Sequence, residues 1–188
     1  MDRAMPKVAV TRRALLVGVS ASAAFAAGCA YASETVEIEE FDVVGRSLGV
    51  KRVEKIVKAQ AEWRALLSSQ AFDVTRQEGT ERAYTGAYWN AHDDGLYACI
   101  CCGTTLFDSK TKYDSGTGWP SFFEPAAKTN IVESVDASFG MTRTAVSCRR
   151  CDAHLGHVFT DGPKPTGLRY CMNSAALRFA ARGAATPQ

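Results

Sequence analysis

Two pairs of closely spaced cysteines are the most chemically informative feature of this sequence of 188 residues. Cys99 and Cys102 form one CxxC pair, and Cys148 and Cys151 form another, with 45 residues between the pairs. A tight turn at each pair can direct two sulfur atoms to one point, so two such turns complete a tetrahedral site. Four thiolates suit Zn²⁺, and a site with four protein ligands is closed, so the spacing predicts a structural zinc ion.

Two other chemistries could use the same four cysteines. In an exported protein a CxxC pair can be a disulfide or a redox pair, although each such disulfide would close a very short loop and stabilise little. An iron–sulfur cluster also takes four cysteines. Zinc is the interpretation that the paired spacing favours.

A fifth cysteine, Cys171, has no CxxC partner. Side chains alternate along an extended strand, so Arg169 and Asn173 would share the face of Cys171. A cation and an amide donor beside a thiol can stabilise its thiolate. His154 and His157 follow the second cysteine pair. These residue types together predict a thiol-dependent enzyme.

The N-terminal residues have the order of a secretory signal peptide. A basic segment precedes an apolar stretch over 14–28, and Ala30-Tyr31-Ala32 offers small residues for cleavage. Thr11-Arg12-Arg13-Ala14-Leu15-Leu16 resembles the twin-arginine type. We therefore expect export to the periplasm and cleavage near Ala32. A lipoprotein modified at Cys29 is a less favoured alternative, and a misassigned start followed by an irregular tail is another.

The sequence beyond residue 32 predicts one domain. Residues 33–50 show no clear period and are expected to form a linker, the domain is expected over 51–182, and 183–188 would form a tail. Residues 1–32 contain four basic residues and one acidic residue, so their removal changes the formal net charge from +2 to −1. A nearly neutral domain lacks the positive surface that binds nucleic-acid phosphates, so we expect no nucleic-acid partner.

Hydrophobic spacing predicts a mainly β (α+β) fold, in which helices precede an antiparallel β region. From Val53 to Leu67, apolar residues recur at intervals of three and four, which is typical of a helix. Ser68 or Ser69 is expected to cap a second, short helix. Alternating stretches then predict strands at Gly95–Ile100, Asn130–Val135, Gly140–Ser147, Leu155–Phe159 and Leu168–Ala175.

Six segments carry a resemblance to a known family. They are Trp63–Leu67, Gly79–Gly86, Tyr97–Phe107, Ser115–Phe122, Cys148–Phe159 and Asp161–Phe179. In this order they resemble the peptide methionine-R-sulfoxide reductases, over the 117 residues from 63 to 179. The resemblance implies a fold of two antiparallel sheets with flanking helices, with a zinc clip that joins the two cysteine knuckles.

The resemblance also implies a reaction. Cys171 would attack the sulfoxide sulfur of oxidised methionine, release methionine and be left as a sulfenic acid. Such chemistry needs a thiolate nucleophile and a proton for the departing oxygen. His157 is the favoured acid, and His154 is a candidate for acid or for positioning water. Asn173 and Arg169 would orient polar atoms and support the thiolate.

An apolar wall would select the substrate epimer. By the same resemblance, Trp119 would receive the methyl group of the sulfoxide, and Phe159 would complete the wall or simply belong to the core. The substrates would be oxidised proteins and peptides, the reductant a thioredoxin-like protein, and the enzyme a monomer.

The sequence departs from the family in the Ser-Gly-x-Gly-Trp loop. Many members carry there a second cysteine that attacks the sulfenic acid, whereas this chain has Thr117. Either a thioredoxin-like donor reduces Cys171 directly, or another thiol resolves it. Cys101 is the one other cysteine outside the CxxC ligands after residue 32, and its simpler interpretation is a small apolar residue in the knuckle.

Two other function classes fit part of the pattern. A papain-like protease would use cysteine, histidine and asparagine, but Asn173 lies only two residues from Cys171 and the papain-type cysteine signature is absent. A zinc-ribbon binding module would explain four cysteines and leave Cys171 and His157 without a role.

Overall fold

The computed structural model of the chain describes Met1 and residues 34–137, 140 and 142–183. Apart from Met1, the predicted signal peptide over 1–32 lies outside these residues, as does the predicted tail beyond Gly183. Neither helix in the described part of the chain is long and apolar enough to cross a membrane.

Eleven strands and two helices form the described part of the chain. In chain order they are β1 (Thr35–Phe41), β2 (Ser47–Glu54), α1 (Gln60–Leu66), α2 (Ser69–Arg76), β3 (Gly95–Cys99), β4 (Thr105–Asp108), β5 (Lys112–Tyr113), β6 (Ser121–Phe122), β7 (Ile131–Asp136), β8 (Arg143–Cys148), β9 (His154–Phe159), β10 (Arg169–Met172) and β11 (Leu177–Ala181).

The strands form three antiparallel sheets. A six-stranded sheet has the order β5-β6-β10-β9-β8-β7, and a three-stranded sheet has the order β11-β3-β4. These two sheets confirm the mainly β fold with short helices before the sheets. The pair β1–β2 forms a further two-stranded sheet that the sequence did not predict.

The segment 33–50, predicted to be a linker, instead contains β1 and the first half of β2. Val53 belongs to β2, where it pairs with Val36, so the prediction of a helix from Val53 was wrong and α1 begins only at Gln60. The hairpin packs on the domain because Ile38 is buried and the Asn130 side chain bonds both the N–H and the carbonyl of Glu39. These contacts link residues far apart in sequence, which local periodicity does not reveal.

Several local predictions are confirmed. Ser68 caps α2 by accepting a hydrogen bond from the Ala71 N–H at 3.2 Å. Strands β3, β7 and β9 lie within one residue of their predicted bounds at both ends. The predicted strand Leu168–Ala175 divides, because β10 ends at Met172 and a 3₁₀ turn over Ser174–Ala176 leads into β11.

An aromatic core joins the two larger sheets. Phe107 of β4 stacks on Phe122 of β6 with 4.4 Å between ring centroids, and Tyr97 of β3 meets Phe122 edge-on at 5.2 Å. All three side chains are fully buried, and burying a ring of this size stabilises a fold by roughly 1.5–3 kcal/mol. The core therefore holds the six-stranded sheet as a rigid platform for the site.

Candidate active site and metal centre

The two CxxC turns bring four sulfur atoms together. The Sγ atoms of Cys99, Cys102, Cys148 and Cys151 all lie within 4.8 Å of one another. Cys99 is 3.7 Å from Cys151, and Cys102 is 3.5 Å from Cys148. Four thiolates around a zinc ion at 2.3 Å would be about 3.8 Å apart, so the spacing fits a tetrahedral metal. Hydrogen bonding from Cys148 lowers the pKa of Cys102.

Both turns form for the same local reason. The N–H of Gly103 bonds the carbonyl of Cys99, and the N–H of Asp152 bonds the carbonyl of Cys148, each at 2.9 Å. Gly103 and Asp152 both have positive φ angles, 76° and 54°, which glycine adopts easily and aspartate tolerates. Each turn follows the end of a strand, β3 or β8, so the four-cysteine cluster lies between the three-stranded sheet and the six-stranded sheet.

Helix α2 supplies a cation to the metal centre that the sequence analysis missed. Arg76 donates to the carbonyl of Cys151 at 2.8 Å, and its other terminal nitrogen lies 3.6 Å from Cys151 Sγ. Its guanidinium stacks 4.3 Å over the ring of Trp63 in α1. The cation thus partly offsets the negative charge that four thiolates would carry.

The six-stranded sheet places Cys171 beside His157. In the register of β9 and β10, Cys171 lies directly opposite His157, and on its other side it pairs with Ser121 of β6. A Cβ atom on Gly156 would meet the carbonyl oxygen of Cys171, so glycine permits the close approach of these strands. Directly opposed residues share one face of a sheet. The predicted nucleophile and acid are therefore neighbours.

Arg169 and Phe159 pair two residues further along the same strands, on the face of the sheet that carries Cys171 and His157. Arg169 makes two hydrogen bonds of 2.8 Å to the carboxylate of Asp161 and lies 4.3 Å over the ring of Phe159. The bond to Asp161 raises the pKa of Arg169. Arg169 is therefore held beside the cavity as a fixed cation, and Asp161 is its partner.

The carboxylate of Asp136 contacts the imidazole ring of His157. Its Nε2 lies 2.8 Å from Asp136 Oδ2, and Asp136 also accepts a hydrogen bond of 2.7 Å from Arg143. Sequence reasoning missed Asp136 and Arg143, because only the pairing of β7, β8 and β9 brings them to His157. The arrangement orients the imidazole ring.

His154 lies in a different environment from His157. It is buried, and its Nε2 has no hydrogen-bond partner among the described residues. Burial, followed by the nearby His157, lowers the pKa of His154 to about 4. The ring is therefore neutral near pH 7, and it lines a groove of about 440 Å³ next to the cysteine cavity.

A small cavity exposes the Cys171 thiol. Its volume is about 110 Å³, which suits one side chain. The lining combines two aromatic rings with polar groups: Thr80, Trp119, Arg143, His157, Phe159, Cys171, Met172 and Asn173. Trp119 and Phe159, which were predicted to form an apolar wall, both line this cavity.

Asn173 is turned more toward the backbone than predicted. It lies just beyond β10, where its Oδ1 accepts from the N–H of Glu81 at 3.0 Å and its Nδ2 donates to the carbonyl of Leu155 at 3.1 Å. It lines the cavity together with Cys171, but both ends of its amide are engaged. Its observed contacts therefore fix the chain after Cys171.

Three hydroxyl groups at and before the start of β6 form a chain that ends at Cys171. Thr117 Oγ1 is 3.8 Å from Cys171 Sγ and 2.8 Å from Ser115 Oγ, which is in turn 2.7 Å from Ser121 Oγ. Cys101, the other candidate thiol, lies with its Sγ 3.5 Å from Thr75 of α2. Thr117 therefore contacts the nucleophile, whereas Cys101 is engaged at the metal knuckle.

Comparison with known proteins agrees with this site. The SelR domain family matches residues 67–181. A peptide methionine sulfoxide reductase MsrB from Herminiimonas arsenicoxydans is 56% identical over 126 residues, which are 67% of this chain and 92% of that protein. The same-named protein from Acinetobacter baylyi is 58% identical over 125 residues, 66% of this chain and 90% of its own length. That from Pseudomonas fluorescens is 55% identical over 130 residues, 69% of this chain and its entire length.

The match spans both cysteine turns, the Trp119 loop and the Cys171 strand. Neither a papain-like protease nor a zinc-ribbon module accounts for it. The chain belongs to the methionine-R-sulfoxide reductase family, whose members carry the SelR domain.

Proposed function

We propose that this chain reduces the R epimer of methionine sulfoxide in proteins and peptides to methionine, and so repairs oxidative damage. The observation that carries the proposal is the position of Cys171, opposite His157 at a cavity walled by Trp119 and Phe159. The family to which the chain belongs supports the same reaction.

The reaction transfers one oxygen atom from the substrate to the enzyme. The sulfur of Cys171 attacks the sulfoxide sulfur and forms an S–S bond, while the sulfoxide oxygen takes a proton from His157. The resulting hydroxyl group then migrates from the substrate sulfur to Cys171 as the S–S bond breaks, which releases methionine and leaves Cys171 as a sulfenic acid. The proton of the Cys171 thiol replaces the one that His157 gave. The enzyme is oxidised by two electrons and the substrate is reduced by two.

The lining of the cavity supports selection of one epimer. A sulfoxide sulfur carries a methyl group and an oxygen in fixed handedness. The rings of Trp119 and Phe159 favour the methyl group, and His157 favours the oxygen. The opposite epimer would place its oxygen against the rings without a hydrogen bond, which costs free energy.

Reduction of the Cys171 sulfenic acid back to the thiol requires two electrons from another molecule. Because Thr117 cannot form a disulfide, two thiols of an external donor, a thioredoxin-like protein, would convert the sulfenic acid to the thiol and water while the donor becomes a disulfide. The contact of Cys101 with Thr75 argues for this direct route over resolution by Cys101. The twin-arginine-like segment supports a periplasmic enzyme, and hence a donor on that side of the membrane.

The four-cysteine cluster is proposed to hold a structural zinc ion. The sulfur spacing and the four-thiolate donor set fit that metal. The ion would supply no step of the reaction, since its ligands leave no open position. Its role would be to hold β8, and hence the start of β9, against β3.

A single-turnover assay tests the proposal. Peptides with separated methionine sulfoxide epimers are mixed with the reduced enzyme without added thiol. The wild type should convert one equivalent of the R epimer and leave the S epimer unchanged. Cys171→Ser should convert none, and the matched variant Cys101→Ser should behave as the wild type. A folded, metal-loaded wild type that leaves the R epimer unchanged would overturn the proposal.

A further inference from the structure

Glu81 is a buried acid without a place in the proposed chemistry. It is 5% exposed, and it does not line the cavity of Cys171. Burial of a carboxylate is costly unless its oxygens are hydrogen-bonded. Here both oxygens have partners, and those partners belong to the segment that follows Cys171.

The carboxylate of Glu81 binds the turn after the nucleophile strand. Its Oε1 accepts from the N–H of Ser174 at 2.6 Å, and its Oε2 accepts from the N–H of Ala175 at 2.9 Å. These are the first two N–H groups of the 3₁₀ turn over Ser174–Ala176. The carboxylate thus satisfies donors that a helical turn leaves unpaired at its start.

The backbone of Glu81 binds two residues of the cavity lining. Its N–H donates to Asn173 Oδ1, and its carbonyl accepts from Trp119 Nε1, both at 3.0 Å. A single residue therefore connects the proposed methyl-binding wall at Trp119 with the chain immediately after Cys171. Its neighbour Thr80 lines the same cavity.

We infer that Glu81 is a positioning residue that sets the distance between the indole of Trp119 and the thiol of Cys171. The inference rests on the proposed function, because the indole is taken to bind the sulfoxide methyl group. A misplaced wall weakens binding in the ground state and the transition state alike, which raises KM more than it lowers kcat. The groups that carry out the reaction, Cys171 and His157, make no contact with the carboxylate among the hydrogen bonds of the described residues.

The experiment compares Glu81→Gln with a variant that damages the fold elsewhere. Gln keeps the size of the side chain but replaces one accepting oxygen with an NH₂ group that faces a backbone N–H. Asn130→Asp is the matched control. Asn130 is fully buried and bonds the backbone of Glu39 and Thr105, away from the cavity. Both variants should lower the melting temperature.

Steady-state kinetics with an R-sulfoxide peptide and dithiothreitol then separate the two roles. Glu81→Gln should raise KM about tenfold and change kcat less than about threefold, because one charge-assisted hydrogen bond is lost at a positioning contact. Its preference for the R epimer over the S epimer should fall as well. Asn130→Asp should leave KM and epimer preference unchanged.

A second variant covers the case in which Glu81→Gln does not fold. A Cβ atom on Gly86 would meet both Glu81 Oε1 and Ser174 Oγ, so Gly86→Ala displaces the carboxylate without changing its chemistry. It should raise KM in the same direction. An unchanged KM and epimer preference in whichever of the two variants folds would overturn the inference, while turnover by the wild type would leave the proposed function intact.

Discussion

The metal centre and the Cys171 cavity are assembled in opposite ways. The metal centre takes its four sulfurs from two turns, each of four residues, and its sulfur pairs lie 3.5 and 3.7 Å apart. The cavity takes its lining from residues between Thr80 and Asn173, which lie on separate strands and loops. The first arrangement needs only two turns to meet, whereas the second needs several long-range contacts.

Because of this difference, we expect disruption of the four-cysteine centre to lower stability and disruption of the cavity to lower activity. A metal centre built from two local turns is expected to hold two sheets together, so its loss should destabilise the whole domain. A cavity built from distant residues can lose one of them and leave the fold intact. Four predictions test this contrast, in order of decreasing expected effect.

Removal of a metal ligand should destabilise the entire domain. Cys148→Ser breaks the four-thiolate set, and structural zinc sites contribute roughly 10–16 kcal/mol in small domains, so a loss of several kcal/mol of folding free energy is expected. Metal analysis and denaturant unfolding measure the effect. Cys101→Ser replaces a cysteine within the other turn, Cys99–Cys102, without removing a ligand, and should retain the metal. If Cys148→Ser keeps the stability and the metal content of the wild type, the four cysteines do not hold a structural metal ion.

Acid should destabilise the domain through His154. Its folded pKa is about 4 and its ordinary pKa is 6.5, so between these values the unfolded chain binds a proton that the folded chain does not. Stability present above pH 6.5 is therefore lost as the pH falls towards 4, by about 3 kcal/mol for this group.

His154→Gln removes this titration, so its free energy of unfolding should depend less on pH than that of the wild type. Denaturant unfolding at a series of pH values measures the difference, and metal loss in acid affects both proteins alike. His92→Gln, at an exposed position, serves as the control. Identical pH dependence in wild type and His154→Gln would contradict the prediction.

Loss of the cation on α2 should weaken metal binding. Arg76→Met removes the donor to the carbonyl and sulfur of Cys151, and removal of such a supporting contact typically weakens metal affinity by about tenfold or more. Chelator competition measures the affinity. Arg64→Met is matched, because Arg64 also stacks on a ring, that of Phe72 at 4.2 Å, without a hydrogen bond to the cysteines. Equal metal affinities in Arg76→Met and Arg64→Met would show that Arg76 contributes packing on Trp63 and no support to metal binding.

A thiol at position 117 should change the oxidised product more than the rate. The Thr117 hydroxyl lies 3.8 Å from Cys171 Sγ, so Thr117→Cys should form a disulfide with Cys171 after one turnover. Turnover with dithiothreitol should change less than about threefold, because a contact this long is weak. Thiol counting and capture of sulfenic acid distinguish the products. Ser47→Cys, on the exposed hairpin, should give no such disulfide. If Thr117→Cys also forms no disulfide with Cys171, the contact between these two positions is contradicted.

The sequence predicted individual helices and strands better than it predicted the contacts between them. Strands such as β9 were predictable because a short run with apolar, β-branched and aromatic residues, followed by turn-forming residues, is a local signal. The hairpin β1–β2 was not, because one buried residue, Ile38, in a charged segment provides too little pattern. Asp136, Arg76 and Glu81 were missed because each acts on a partner 20 or more residues away.

The sequence by itself determined the four cysteines that cluster, the nucleophile candidate and the family, since CxxC spacing and ordered motifs are local properties of the chain. Only the tertiary structure decided what surrounds the thiol. The register of β9 and β10 set His157 opposite Cys171, and the contacts of Glu81 joined Trp119 to the turn that follows β10. Strand register and buried hydrogen bonds are properties of pairs of distant residues, and they exist only once the sheets have packed.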